Sequence, residues 1–143
     1  MTTRVSPTPG SGGLWSPLHS PLRWLAAVAL VVSAAVHIPV TPEHLEEAPY
    51  IGWLFIALTV VCFVLAGAVL VADSAAVWSI SGVVTALAVA AYVLSRAVAL
   101  PQIGDDVGNW LEPLGVAAIV AEAATAILSL LALRRPAGVP VAS

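Results

Sequence analysis

Apolar positions gather into four long continuous runs, at residues 24–40, 50–72, 75–100 and 114–133, and polar residues fall mostly between and beside them. Each run is close to the ~20 residues a helix needs to cross the ~30 Å hydrocarbon layer of a bilayer. The runs do not alternate as half-buried strands do, and open strands would leave backbone groups unpaired in lipid. The expected fold is therefore all-α, a four-transmembrane-helix antiparallel bundle. Short connections predict that helices consecutive in sequence are neighbours in space. Pro39 and Pro42 are expected to end the first helix and Pro49 to open the second, with Thr41 capping a short interfacial turn that holds His44 and Glu46.

Composition turns this pattern into a membrane assignment. The 143 residues are 60% hydrophobic and 9% charged, with a mean hydropathy of +1.02, outside the usual range of water-soluble domains. The basic residues are Arg4, Arg23, Arg96, Arg134 and Arg135, with no lysine. No basic patch can follow a phosphate backbone, which excludes nucleic acid as a partner and leaves the lipid bilayer. The abundance of Ala and Val, with Arg in place of Lys, is what a high-GC bacterial genome encodes. Cys62, the single cysteine, lies inside an apolar run and reads as a small buried hydrophobe.

Residues 1–21 are rich in Pro, Gly, Ser and Thr and read as a disordered tail, His19 being a solvated part of it. The four-helix domain takes residues 22–135, and residues 136–143 form a disordered C-terminal tail. The SAA at residues 33–35 raises the possibility of a cleaved signal peptide, but the long, weakly charged leader argues against it. Arg4 and Arg23 precede the first helix and Arg134 and Arg135 end the fourth, so the positive-inside rule predicts both termini on the cytoplasmic side of a bacterial inner membrane. The opposite side receives the loops at 41–49 and 101–113, which carry Glu43, Glu46, Glu47, Asp105, Asp106 and Glu112.

The inward faces follow from helical spacing. Gly115, Ala118, Glu122, Thr125 and Ser129 form one seam on the fourth helix, and all but Glu122 are small. Ser81, Thr85, Ala88, Tyr92 and Ser95 do the same on the third, with Arg96 beside them. On the first helix Ala26, Ser33 and His37 share a face, and on the second Gly52, Thr59 and Ala66 do so. Glu122 lies nine residues inside Pro113, roughly 13 Å below the start of its helix at 1.5 Å per residue. An ionised, unpaired carboxylate there costs several kcal/mol, so Glu122 must be protonated, solvated or paired. Arg96 offers three outcomes: a structural ion pair with Glu122, snorkelling to headgroups, or a functional pair lining a polar cavity.

The loop stretch AAVHIPVTPEHLEEAPYIGW, residues 34–53, holds two of the three histidines. His37 and His44 are seven residues apart, a separation that returns both to one face if the helix is continuous. With Glu46, Glu47 and Glu112 they supply ligand types suited to a Zn or Cu ion, above a floor of Arg96 and Glu122. No paired Cys, HExxH or CxxCH pattern accompanies them. Such a site would lose metal as pH falls through the histidine range near ~6.5. Glu112, immediately before Pro113, is also well placed to interact with the dipole of the fourth helix.

HIPVTPEHLEEAPYIGWLF, followed by SRAVALPQ and then WLEPLGV, resembles small, mostly uncharacterised four-helix integral membrane proteins of actinobacteria and similar bacteria. The likeness spans residues 24–133. It implies the same fold and carries over no activity and no catalytic residue.

Three functions follow from these residues. The first is a small integral membrane protein whose outward polar site binds a metal ion or small polar ligand. The second is an accessory or scaffold subunit whose polar residues are structural, with a membrane-protein partner. The third is a proton-coupled transporter built on Glu122, working as a homo-oligomer because four helices leave little room for a pathway. An enzyme is not expected, since no nucleophile–base pair is legible from spacing.

Overall fold

A computed structural model describes residues 13–134. The expectations for residues 1–12 and 136–143, and for Arg4 and Arg135, lie outside them. Within the described residues the chain forms α1 (Arg23–Glu47), α2 (Pro49–Val71), α3 (Ala75–Ala97) and α4 (Pro113–Arg134), plus one 3-10 turn at Gly104–Asp106. All four helices are long and apolar enough to cross a membrane, the architecture of a small multi-pass integral membrane protein. Their outward faces carry exposed Leu, Val, Ile and Trp side chains, an arrangement that is stable when the surrounding solvent is lipid.

α1 departs from the expected boundary. It does not stop at Pro39 but runs on through Pro39 and Pro42 to Glu47. Each proline removes one backbone hydrogen bond, and both occupy the exposed side of the helix. On the other side, side chains reinforce the ladder: the Thr41 hydroxyl donates to His37 O at 2.6 Å and His44 Nδ1 donates to Val40 O at 2.8 Å. The helix therefore ends where Ala48 N closes on His44 O, and Pro49 begins α2 one residue later. This tight corner depends on Gly52, since a Cβ there would stand 2.6 Å from Leu45 Cγ and 2.8 Å from the Leu45 backbone nitrogen.

α1 packs against α2 and α4, and α4 against α3, while α2 and α3 touch only sparingly despite their short connection. Consecutive helices are thus close neighbours in two of the three pairs. The fully buried Trp78 of α3 belongs to the same apolar cluster as Ala26, Leu30, Leu65 and Val69 of α1 and α2. That cluster fills the half of the bundle next to Arg23, called here the terminal end. Toward the other end, the loop end, the core takes up His37, Glu122 and Arg96, while buried Ser81, Thr85, Thr125 and Ser129 run along α3 and α4 in the terminal half.

Residues 13–22 are tied to the bundle, contrary to the expectation of a free tail through residue 21. Leu18 N donates to Asp73 O (2.7 Å), Ser20 N to Asp73 Oδ2 (2.7 Å), and Ala76 N to Leu14 O (3.0 Å). Asp73, in the α2–α3 turn, adopts a left-handed conformation with φ of 39°, which Asp tolerates better than most residues. Its other oxygen accepts from Trp78 Nε1 at 2.7 Å, and Arg23 stands 3.7 Å away. His19 is exposed.

Candidate functional site

The residues singled out from the sequence divide into three groups. At the centre of the bundle α1 brings His37 to Glu122 of α4, with Nε2 and Oε1 3.9 Å apart and both residues buried. Ser33, one turn before His37, donates its hydroxyl to the same Glu122 oxygen at 3.1 Å. Cys62 of α2, at 3.8 Å from the Ser33 hydroxyl, completes the surroundings. The local reason for this convergence is helical periodicity, since Ser33 and His37 share one face of α1 and Glu122 stands on the inner seam of α4.

The hydrogen bonds fix the tautomers of both histidines. His37 Nδ1 lies 2.7 Å from Ser33 O and His44 Nδ1 lies 2.8 Å from Val40 O. A carbonyl oxygen only accepts, so each Nδ1 carries a hydrogen. In the neutral rings each Nε2 then holds a lone pair, and that of His37 faces the Glu122 carboxyl. His44, half-buried, continues the line toward the loop end. The Phe55 ring contacts both imidazoles, with centroid distances of 4.8 Å to His37 and 4.9 Å to His44.

This geometry does not assemble the expected metal site. Seven helical residues separate the two histidines by about 10 Å along the axis, with Phe55 packed against both, whereas a shared Zn or Cu ion needs ligand atoms within roughly 4 Å of one another. Glu46 and Glu47 are exposed at the end of α1. Glu112 is used otherwise: its two oxygens accept from Leu114 N at 2.9 Å and from Gly115 N, capping α4. Among the described residues no group of three or more His, Cys, Asp or Glu side chains is placed to hold a metal ion.

Arg96 and Glu122 do not pair with each other. Arg96 turns to the connection after α3 and forms an ion pair with Asp106, its nitrogen 2.6 Å from Oδ2, and its guanidinium stacks 4.9 Å from the Tyr92 ring centroid. Its backbone carbonyl accepts from Gly108 N at 2.9 Å, and Tyr92 donates to Trp110 O at 3.0 Å. Arg96 thus anchors the loop between α3 and α4. Asp106 competes successfully because it lies at the same end of the bundle as Arg96, whereas Glu122 is more than two turns inside α4.

Sequence spacing passed over two residues that matter. Ser33 was only a small residue on an inward face, yet its position four before His37 puts its carbonyl and hydroxyl at the centre of the site. Asp73 was legible as an isolated acid between two apolar runs, the pattern of a turn, but of its buried donors only the Trp78 indole is local, and the Ser20 amide comes from 53 positions away. No family model, curated protein or solved structure matches the chain.

Proposed function

We propose that this protein handles protons inside the membrane, with His37 and Glu122 acting as one acid–base pair. The observation that carries the reading is the His37 Nε2 lone pair facing Glu122 Oε1 at 3.9 Å in a buried setting. A pair holding one proton is electrically neutral overall, whether the proton sits on the carboxyl or the imidazole has it and the carboxylate is charged. Removing that proton leaves a net negative charge and adding another leaves a net positive one, and low-dielectric surroundings oppose both. At 3.9 Å the atoms are beyond direct hydrogen-bond reach, so the proton crosses by a small rotation of the carboxyl or through one water.

The loop end supplies access. His44 has the same tautomer, the same helix face and a partly exposed ring, and it stands between His37 and the end of α1. A proton taken up at His44 Nε2 passes inward to the His37–Glu122 pair through intervening water, since about 10 Å of helix separates the two rings. The reading belongs to the carrier class and needs neither a metal nor a nucleophile.

Reconstitution into liposomes with a trapped pH dye tests it. Under an imposed pH gradient the wild-type protein should conduct protons, and Glu122→Gln or His37→Gln should lower the flux about a hundredfold, the scale of a lost general acid–base group. Wild-type flux no greater than that of empty liposomes, or unchanged flux in both variants, would leave the polar core as a packing device of an accessory subunit.

A further inference from the structure

Four hydroxyl side chains line the buried seam between Glu122 and the terminal end, and they fall into two kinds. Thr85 and Thr125 satisfy themselves, donating to the carbonyls of Ser81 at 2.8 Å and Ala121 at 3.0 Å, the usual habit of hydroxyls in apolar helices. Ser81 and Ser129 do not. Both are fully buried, and neither hydroxyl has a partner among the described residues. They stand at one level, because a Cβ on Gly82, the neighbour of Ser81, would lie 3.0 Å from Ser129 Cβ. Ser129 is two turns beyond Glu122 on α4, with Thr125 between them, and Ser81 is one turn from Trp78, whose indole donates to Asp73.

Resting on the acid–base reading of His37 and Glu122, we propose that Ser81 and Ser129 bind internal water and so join the Glu122 site to the terminal end of the bundle. Buried hydroxyls in an apolar setting find partners, and water supplies one where two to four polar groups surround it. Here the two serine hydroxyls are the unpartnered groups, and the Thr125 hydroxyl is one helical turn from Ser129 on α4. Proton balance is simple. Glu122 releases its proton to the water, and the water passes one on toward the surface near Asp73 and Arg23. His37 then takes a proton from the loop end through His44, and the imidazolium so formed reprotonates Glu122. One proton enters at one face and one leaves at the other.

Two readouts on the full-length protein in lipid test the water site separately from the proton function. In water-edited solid-state NMR, polarisation should reach the Ser81 and Ser129 Cβ protons as quickly as surface residues, and markedly faster than Leu30 or Val69. Absence of that transfer in the wild type overturns the water site. In liposomes, Ser81→Ala with Ser129→Ala should lower proton flux about tenfold while the Glu122 carboxyl still titrates. Flux equal to wild type in that double variant overturns the path even if water is present. Wild-type protein with water at both serines and no flux keeps the water site and removes the acid–base reading beneath it.

Discussion

Two carboxylates are buried to the same extent in this bundle and live in opposite conditions. Asp73 is saturated: one oxygen accepts from the Ser20 amide, the other from the Trp78 indole, and Arg23 stands close by. Glu122 has one hydroxyl donor and a histidine just beyond hydrogen-bond distance. A carboxylate held by several donors is an anchor whose charge is compensated in place. A carboxyl with a single hydroxyl donor and a facing imidazole lone pair has something left to do. Burial alone therefore does not mark function, whereas the count and kind of partners does.

Breaking the saturated site should have the largest effect. Asp73→Ala leaves the Trp78 N–H and Ser20 N–H without acceptors and frees Arg23, and it should cost about 3–5 kcal/mol of stability in detergent, the range for removing one partner of a buried charged network. A chemical-denaturation series on the purified protein checks this, and a loss below about 1 kcal/mol, the net worth of a single ordinary hydrogen bond, would remove Asp73 as an anchor.

Arg96 sharpens the contrast from the loop end. Arg96→Leu should cost about 1–3 kcal/mol, because the lost ion pair leaves a partly exposed Asp106 that water can still reach. A double-mutant cycle should find coupling between Arg96 and Asp106 and additive behaviour between Arg96 and Glu122. Strong coupling to Glu122 would reverse the pairing described here.

Glu122 should show the smallest stability change. Glu122→Gln keeps an acceptor for the Ser33 hydroxyl and removes a titratable group, so stability should stay within about 1 kcal/mol of wild type. A larger loss would make Glu122 a second anchor and erase its difference from Asp73.

Much of the fold was legible because the bilayer enforces it. Four apolar runs became four helices, with α2 and α4 matching their predicted limits closely and α3 ending three residues early, before Val98 turns extended. α1 runs past its predicted end because its Thr41 and His44 side chains bond the turns around Pro39 and Pro42. The site was half legible. Helical spacing put His37 and Glu122 on inward faces, but charge alone suggested that Arg96 would meet Glu122. Depth decided otherwise, and depth depends on where each helix starts and on which loop residues return to it. The Trp78 indole that Asp73 holds is five residues on, but the Ser20 amide it also binds is 53 residues back, a contact that no local pattern encodes.

The central claim is that His37 and Glu122 share one proton, and the most direct measurement follows both groups at once. Infrared bands of the Glu122 carboxyl and the nitrogen-15 shift of His37 Nε2 would be recorded against pH on the same protein in lipid. The account predicts coupled titration: the two signals change together, and Glu122→Gln alters the His37 profile as strongly as His37→Gln alters the carboxyl band. Independent titration of the two groups, each untouched by substitution of the other, would contradict it.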